Sequence, residues 1–571
     1  MAGLELILIC LAVSAGLRIA AERVRVPYPT ILVVGGLILA LIPGLPDVNL
    51  PPDVLFLIFV PPLLYAGAIQ FPLRELRQQA GPILRLSVVM VLVTTVAVAA
   101  VAHALHPSFT WAAAFTLGAI ISPPDPVAVL SLLRGMRLPR AVESILEGEG
   151  LINDATALIL YRFSVAAVVT GAFSLSHAVV QFILAGGGGV IIGLVLGWVI
   201  GRVQRLARGV TVVSNTISLL TPFAAYLAAD FAGTSGVLSV LACGLYLSRA
   251  LWPEQPAETR LLTTSTWTIV TFLLESLVFI LVGLELPIVE RALESLPLTT
   301  LISEALVVSL CVVLVRILWV IPSTYIFRAL GRWAGLGADP LPPLRTVFFV
   351  SWTGLRGADS LVLALALPLT TASGTAFPAR AQIIFITFGV IFFTLVFQGP
   401  TVAPLARRLL GVDENEGAEE AHARLAAAEA GLRVIDGFTR DGKYPEVARY
   451  LASRHRQRAR RWAAKEQNEG AHPVDTGDQP HQHLTIAPSH EAAVIDERRG
   501  DEYRRVRSAM LKAEQQAVLD LRDKGVIGDD VMQRILRDLD LETILLETSE
   551  PVIEPVSEVS SAIGATPKVL K

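Results

Sequence analysis

"AIISPPDPVAVL", residues 119–130, sets three prolines within four positions in the middle of an apolar run. An interior proline costs a helix about 3 kcal/mol and removes one backbone hydrogen bond. Pro123, Pro124 and Pro126 together should therefore open the helix around Asp125. Unwound backbone at membrane depth is tolerated only where protein buries it or where it lines a wet cavity. The next apolar run, "SILEGEGLINDATALILY" at 144–161, adds Glu147, Glu149 and Asp154 within about two helical turns. Each of these acids is costly to bury, so their placement calls for a reason.

The surroundings are those of a polytopic membrane protein. The chain has 571 residues, 53% hydrophobic and 17% charged, with a mean hydropathy of +0.59. The averages hide a division near residue 410. Before it, apolar runs alternate with short turns; after it, charge is dense and the first lysine, Lys443, appears. Residues 1–410 are read as a transmembrane domain and 411–571 as a helical tail with a flexible linker near 467–490. Cys10, Cys243 and Cys311 all fall in apolar runs and are read as buried hydrophobes. The N-terminal run lacks a basic flank, carries Glu5 and is read as a retained first span.

About thirteen apolar segments can be marked. Arginine falls in alternate loops: Arg23 and Arg25, Arg74 and Arg77, Arg134, Arg137 and Arg140, Arg202, Arg205 and Arg208, Arg249 and Arg260, Arg328, Arg332 and Arg345, then Arg407 and Arg408. The intervening loops carry Asp47 and Asp53, His103 and His106, Asp230, Glu290 with Arg291, and Arg380. By the positive-inside rule, the N-terminus lies outside and the tail is cytoplasmic, in a cell membrane.

A second segment is interrupted as well. "FFVSWTGLRGADSLVLALALP", residues 348–368, places Gly354, Arg356, Gly357 and Asp359 inside a span. Broken helices at matching places in two halves indicate a transporter made of inverted repeats, with its site near the midplane. Two six-helix repeats, joined by the seventh segment, satisfy the spacing. The expected fold is thus all-α, with broken helices crossing at the midplane.

On a helix, Glu147, Gly150 and Asp154 share one stripe, and Glu149 and Asn153 the neighbouring one. A short turn makes the broken segment an antiparallel neighbour of this helix. Asp125 and Asp154 can then face each other across a break that offers free carbonyl oxygens, as hard cations accept. A buried carboxylate loses its charge either by binding a cation or by taking a proton, and the two compete. Competition at one site, with the bare anion disfavoured from crossing, gives obligatory exchange. Structural roles compete with this reading. Glu149 should pair with Arg356, with Asn153 completing the hydrogen bonds, and Asp125 could cap the second half-helix. Glu147 is read as facing solvent and Glu275 as a structural hydrogen bonder.

At these residues the sequence resembles the monovalent cation:proton antiporters, in their sodium/proton exchanger branch. The likeness rests on "SPPDPVAVL" (122–130), "EGEGLINDA" (147–155), "WTGLRGA" (352–358) and "FFTLVFQGPTVAPL" (392–405), with weaker support at 56–71 and 236–248. The resemblance implies Asp154 as the carboxylate that carries ion and proton, with Asp125 nearby. It implies a structural cluster of Glu149, Asn153 and Arg356, and a homodimer in which one domain moves against another. The pair Asn153–Asp154 looks like the electroneutral, one-for-one type. Three positions depart from the family pattern: Gly150 stands where serine is usual, Ala66 where an acid is common, and Pro124 where threonine is frequent. Pro124 keeps only its backbone carbonyl as a cation ligand. Fewer side-chain oxygens should weaken discrimination among sodium, lithium and potassium.

The expected function is exchange of sodium, or of lithium or potassium, for protons in pH and cation homeostasis, with potassium as the alternative main cargo. A cation channel would need an open polar pore, and an intramembrane hydrolase would need a nucleophile with its base; neither pattern is present. No enzyme activity, cofactor or nucleic-acid partner is expected. In the tail, "RHRQRARRWAAK" (454–465) is read as a solvated helix face or a strip against anionic headgroups. The tail histidines are read as surface residues, and the tail itself as regulatory.

Overall fold

The computed structural model describes residues 2–24, 28–40, 42, 52–71, 76, 78–106, 109–133, 136, 138–171, 175–207, 209–251, 255–292, 297–333, 341–410, 415–469 and 497–548. Most of the polar linker, and Arg25, Asp47, Arg74, Arg77, Arg134, Arg137 and Arg208, lie outside the described residues. The described residues are helical, apart from turns and one isolated bridge between Thr370 and Ala376. They fall into two compact units, Met1–Asp413 and Glu414–Lys571.

The first unit contains α1 (Ala2–Val24), α2 (Tyr28–Ala40), α3 (Pro52–Gln70), α4 (Ala80–Leu105), α5 (Trp111–Ile121), α6 (Pro126–Leu132) and α7 (Arg140–Thr170). It continues with α8 (Leu175–Leu206), α9 (Thr211–Phe231), α10 (Gly236–Leu251), α11 (Ala257–Ala292) and α12 (Leu298–Trp333). The last are α13 (Leu344–Trp352), α14 (Ala358–Leu365) and α15 (Arg380–Leu409). Among the described residues, eight helices, counting α5–α6 as one, are long and apolar enough to cross a membrane. Ile183, Leu184, Ile191, Leu194 and Val195 on α8 are exposed, as contact with lipid requires.

Both interruptions are present. Thr110 caps α5 by accepting from the Ala113 amide. The helix stops at Ile121 because two prolines follow, and α6 restarts at Pro126, whose fixed φ suits a first helical position. The second break separates α13 from α14 at residues 353–357. A π-turn at Thr394–Gln398 widens α15 beside it. Elsewhere the helices meet through small residues. A Cβ on Gly36 would strike the Ile280 carbonyl, and one on Gly283 would strike the Val33 carbonyl, so α2 and α11 touch backbone to backbone.

The second unit contains α16 (Asn415–Arg440), α17 (Pro445–Glu469), α18 (Glu497–Lys524) and α19 (Asp529–Thr548). Its core includes Ile435, Val447, Leu451, Val506 and Met510. One reading of this region needs correction. His455 is buried, not superficial, with Nε2 2.8 Å from Glu514. In the 454–465 run Arg454, Arg456, Arg460 and Arg461 are exposed, and Arg458 lies 3.4 Å from Glu542.

Candidate functional site

The two breaks cross and are joined directly: the Asp125 amide donates to the Leu355 carbonyl at 2.7 Å. Asp125 Oδ1 accepts from the amides of Val127 (2.8 Å) and Ala128 (3.2 Å), so this carboxylate caps α6. Its other oxygen, Oδ2, faces Gly357, where any Cβ would collide with it. A glycine at 357 is what lets the second break approach the acid so closely.

Arg356 is wholly buried. Its guanidinium donates to the carbonyls of Ile121 (2.7 Å), Gly354 (2.6 Å) and Ser122 (3.3 Å). Its amide donates to Thr394 Oγ1 at 3.1 Å, from the π-turn of α15. These carbonyls belong to the end of α5 and to the neighbouring break, where the backbone has no helical donors left. A cation at a helix C-terminus also opposes the negative end of its dipole.

The expected Glu149–Arg356 ion pair is replaced by another. Glu149 is held by Arg316 of α12, with Nη1–Oε1 at 2.5 Å and Nη2–Oε2 at 2.8 Å, both side chains fully enclosed. This fork-to-fork geometry is the strong arrangement for arginine and carboxylate. Arg316 also donates to the Val350 carbonyl on α13, tying α7, α12 and α13 together. Arg356 points instead to backbone oxygens because the helix ends expose more acceptors than one carboxylate supplies. The signal that would have found Arg316 is its position in the middle of an apolar helix, where a lone charge needs a partner.

Asn153 is fully buried and donates through Nδ2 to the Pro124 carbonyl at 2.8 Å. The Pro124 oxygen proposed for cation binding is thus already engaged by one donor, although a carbonyl keeps a second lone pair. Asn153 Oδ1 is buried without a hydrogen-bond partner. Asp154 follows on α7, half-buried, within electrostatic reach of Asp125 and of Asp359 on α14. Among the described residues no hydrogen bond or ion pair reaches the carboxylate of Asp154 or that of Asp359. Asp125, Pro124, Asn153 and Asp154 are therefore brought together, and Asp359, which the sequence motifs do not single out, lies on the adjoining helix α14.

The three departures also have places. A Cβ on Gly150 would run into the Pro126 ring, so α7 needs glycine there to lie against the break. Ala66 is buried within α3. Among the described residues no three His, Cys, Asp or Glu side chains converge as they would on a resident metal ion.

Residues 8–408 match the family described as sodium/hydrogen exchanger, transmembrane. This chain belongs to that family. The exchanger is 33% identical over 470 residues to a sodium, potassium, lithium and rubidium/proton antiporter of Bacillus pumilus, covering 80% of this chain and 69% of that one. It is 34% identical over 562 residues to an uncharacterized sodium/proton exchanger of Mycobacterium tuberculosis, covering 95% and 96% of the two chains. Among solved structures it matches the sodium proton antiporter NhaP1 of Methanocaldococcus jannaschii, with a TM-score of 0.54 and 19% identity, over 72% of this chain and 99% of that one. This last likeness concerns the fold.

Proposed function

We propose that this exchanger carries a monovalent cation in one direction and a proton in the other, using Asp154 as the group that both occupy in turn. The observation that carries this reading is the half-buried Asp154 carboxylate, next to Asn153 at the crossing of two helix breaks, with no counter-charge bonded to it among the described residues. Asp125 and the second lone pair of the Pro124 carbonyl would complete the cation's shell, and Asn153 would hold the break in register. Exchange follows from competition for one anionic site, because an empty charged site is disfavoured from crossing. One carboxylate trading one cation for one proton gives an electroneutral 1:1 cycle.

The same reading includes thirteen crossings in two inverted repeats, an outside N-terminus, a cytoplasmic regulatory tail, a homodimer in the plasma membrane and a role in pH and cation homeostasis. It requires no cofactor and assigns no enzyme activity. Potassium as the principal cargo is a second reading, favoured by the range of cations in the name of the Bacillus pumilus relative. Inside-out vesicles distinguish these possibilities. Added sodium, lithium, potassium or rubidium should alkalinise the lumen-side dye signal in a saturable way. Asp154→Asn should abolish that response in folded protein. Continued cation-dependent proton movement by Asp154→Asn would overturn the proposal.

A further inference from the structure

The charges around the crossing do not balance among the described residues. Glu149 is matched by Arg316, and Arg356 is committed to the carbonyls of Ile121, Ser122 and Gly354. That leaves Asp125, Asp154 and Asp359 in one electrostatic neighbourhood. Asp125 is partly satisfied, because two amides of α6 donate to its Oδ1. Asp154 and Asp359 have no such donors among the described residues.

Backbone geometry brings Asp359 to this place. Gly357 sits against Asp125 Oδ2, and α14 begins with the next residue. Asp359 therefore stands in the first turn of α14, two positions from the contact between the breaks. The helix that carries Asp359, α14, packs directly against α7, which carries Asp154. A separate feature points to a ligand at the same crossing. Asn153 Oδ1 is a buried acceptor without a donor, fixed in orientation because its Nδ2 is spent on the Pro124 carbonyl. Only a group that brings positive charge or a donor can satisfy it.

We infer that Asp359 is a third carboxylate of the exchange site, facing the travelling cation together with Asp154 and Asp125 and setting which alkali ion the site prefers. The inference rests on the reading of Asp154 given above. Gly150 and Pro124 contribute no side-chain oxygen, and Asp359 supplies a further oxygen pair from α14. A further anionic group attracts every cation, and it attracts small ions most, since their charge comes nearest to the oxygen. Asp359 thus favours lithium and sodium over potassium and rubidium, against the loss of selectivity expected from the missing oxygens.

The test compares Asp359→Asn, Asp359→Glu and Asp154→Asn in reconstituted vesicles, with half-saturating concentrations measured for all four alkali cations. Asp359→Asn should raise the half-saturating concentration for lithium and sodium by about tenfold. The change for potassium and rubidium should be smaller, so that the ratio between ions falls towards unity. Asp359→Glu displaces the carboxylate by one methylene and should reorder the four ions without abolishing their binding. These ratios do not depend on the amount of folded protein, so a purely structural role would leave them unmoved. Should Asp359→Asn fail to fold, the ratios for Asp359→Glu decide the matter alone. Unchanged ratios in the folded variant, with Asp154→Asn inactive, would overturn this inference and leave the proposed function standing. Activity in Asp154→Asn would instead overturn the reading beneath it.

Discussion

Glu149 and Arg316 illustrate what a buried charge demands. Two enclosed ions gain little over a well-packed apolar pair, but removing one strands the other. Arg316→Met should therefore destabilise the membrane unit by about 3–5 kcal/mol. Most of that loss should return in the double variant Glu149→Gln/Arg316→Met. Thermal unfolding of detergent-purified protein checks both, and equal losses in single and double variants would contradict the pairing. That Glu149 needed a base was legible from its place in an apolar helix. Which base was not legible, because two arginines lie in distant spans and sequence spacing across 167 positions carries no distance.

At the scale of the element, the first break was written in its prolines and the second in its Gly-Leu-Arg-Gly run. Three proline rings cannot continue a helix in any tertiary setting. The π-turn at Thr394–Gln398 is marked only in part, since Pro400 cannot donate to the Val396 carbonyl within it. Its Thr394 meets the Arg356 amide, a contact made only after folding. Gly150 shows the same dependence. Read in isolation it is a lost hydroxyl, whereas in the fold it is the space occupied by Pro126. Gly150→Ser should accordingly cost about 1–3 kcal/mol through overpacking and lower exchange, with no sharpening of ion selectivity. Higher sodium preference at wild-type stability would refute this.

At the scale of the whole molecule, the change of composition near residue 410 separates two kinds of core. The membrane unit is held by helix packing and a few enclosed charges; the C-terminal unit adds a polar network. Burial pushes the Glu514 carboxyl up, but the hydrogen bond with His455 and the charges of Arg507, His455 and Arg458 outweigh it and hold the group below its ordinary value. A carboxyl lowered by folding stabilises the folded state above its unfolded value of about 4.3. That contribution is lost as pH falls through the lower folded value. Limited proteolysis of the full chain should leave α16–α19 protected at pH 7 and at pH 5, with protection declining below about pH 4. Glu514→Gln should remove the charge that Arg507 needs, cost about 3 kcal/mol and expose these helices at pH 7. Protection at pH 7 equal to wild type in that variant would show that the network is not needed.

Local chemistry by itself determined the membrane class, the two broken helices and the acids between them, because hydropathy, proline sterics and the cost of buried charge act wherever the chain goes. Only the tertiary structure decided who meets whom: Arg316 for Glu149, backbone carbonyls for Arg356, and the second break for Asp125. Those choices depend on distances between helices far apart in sequence, and such distances are set by close packing of glycines and rings, not by any residue's own preference.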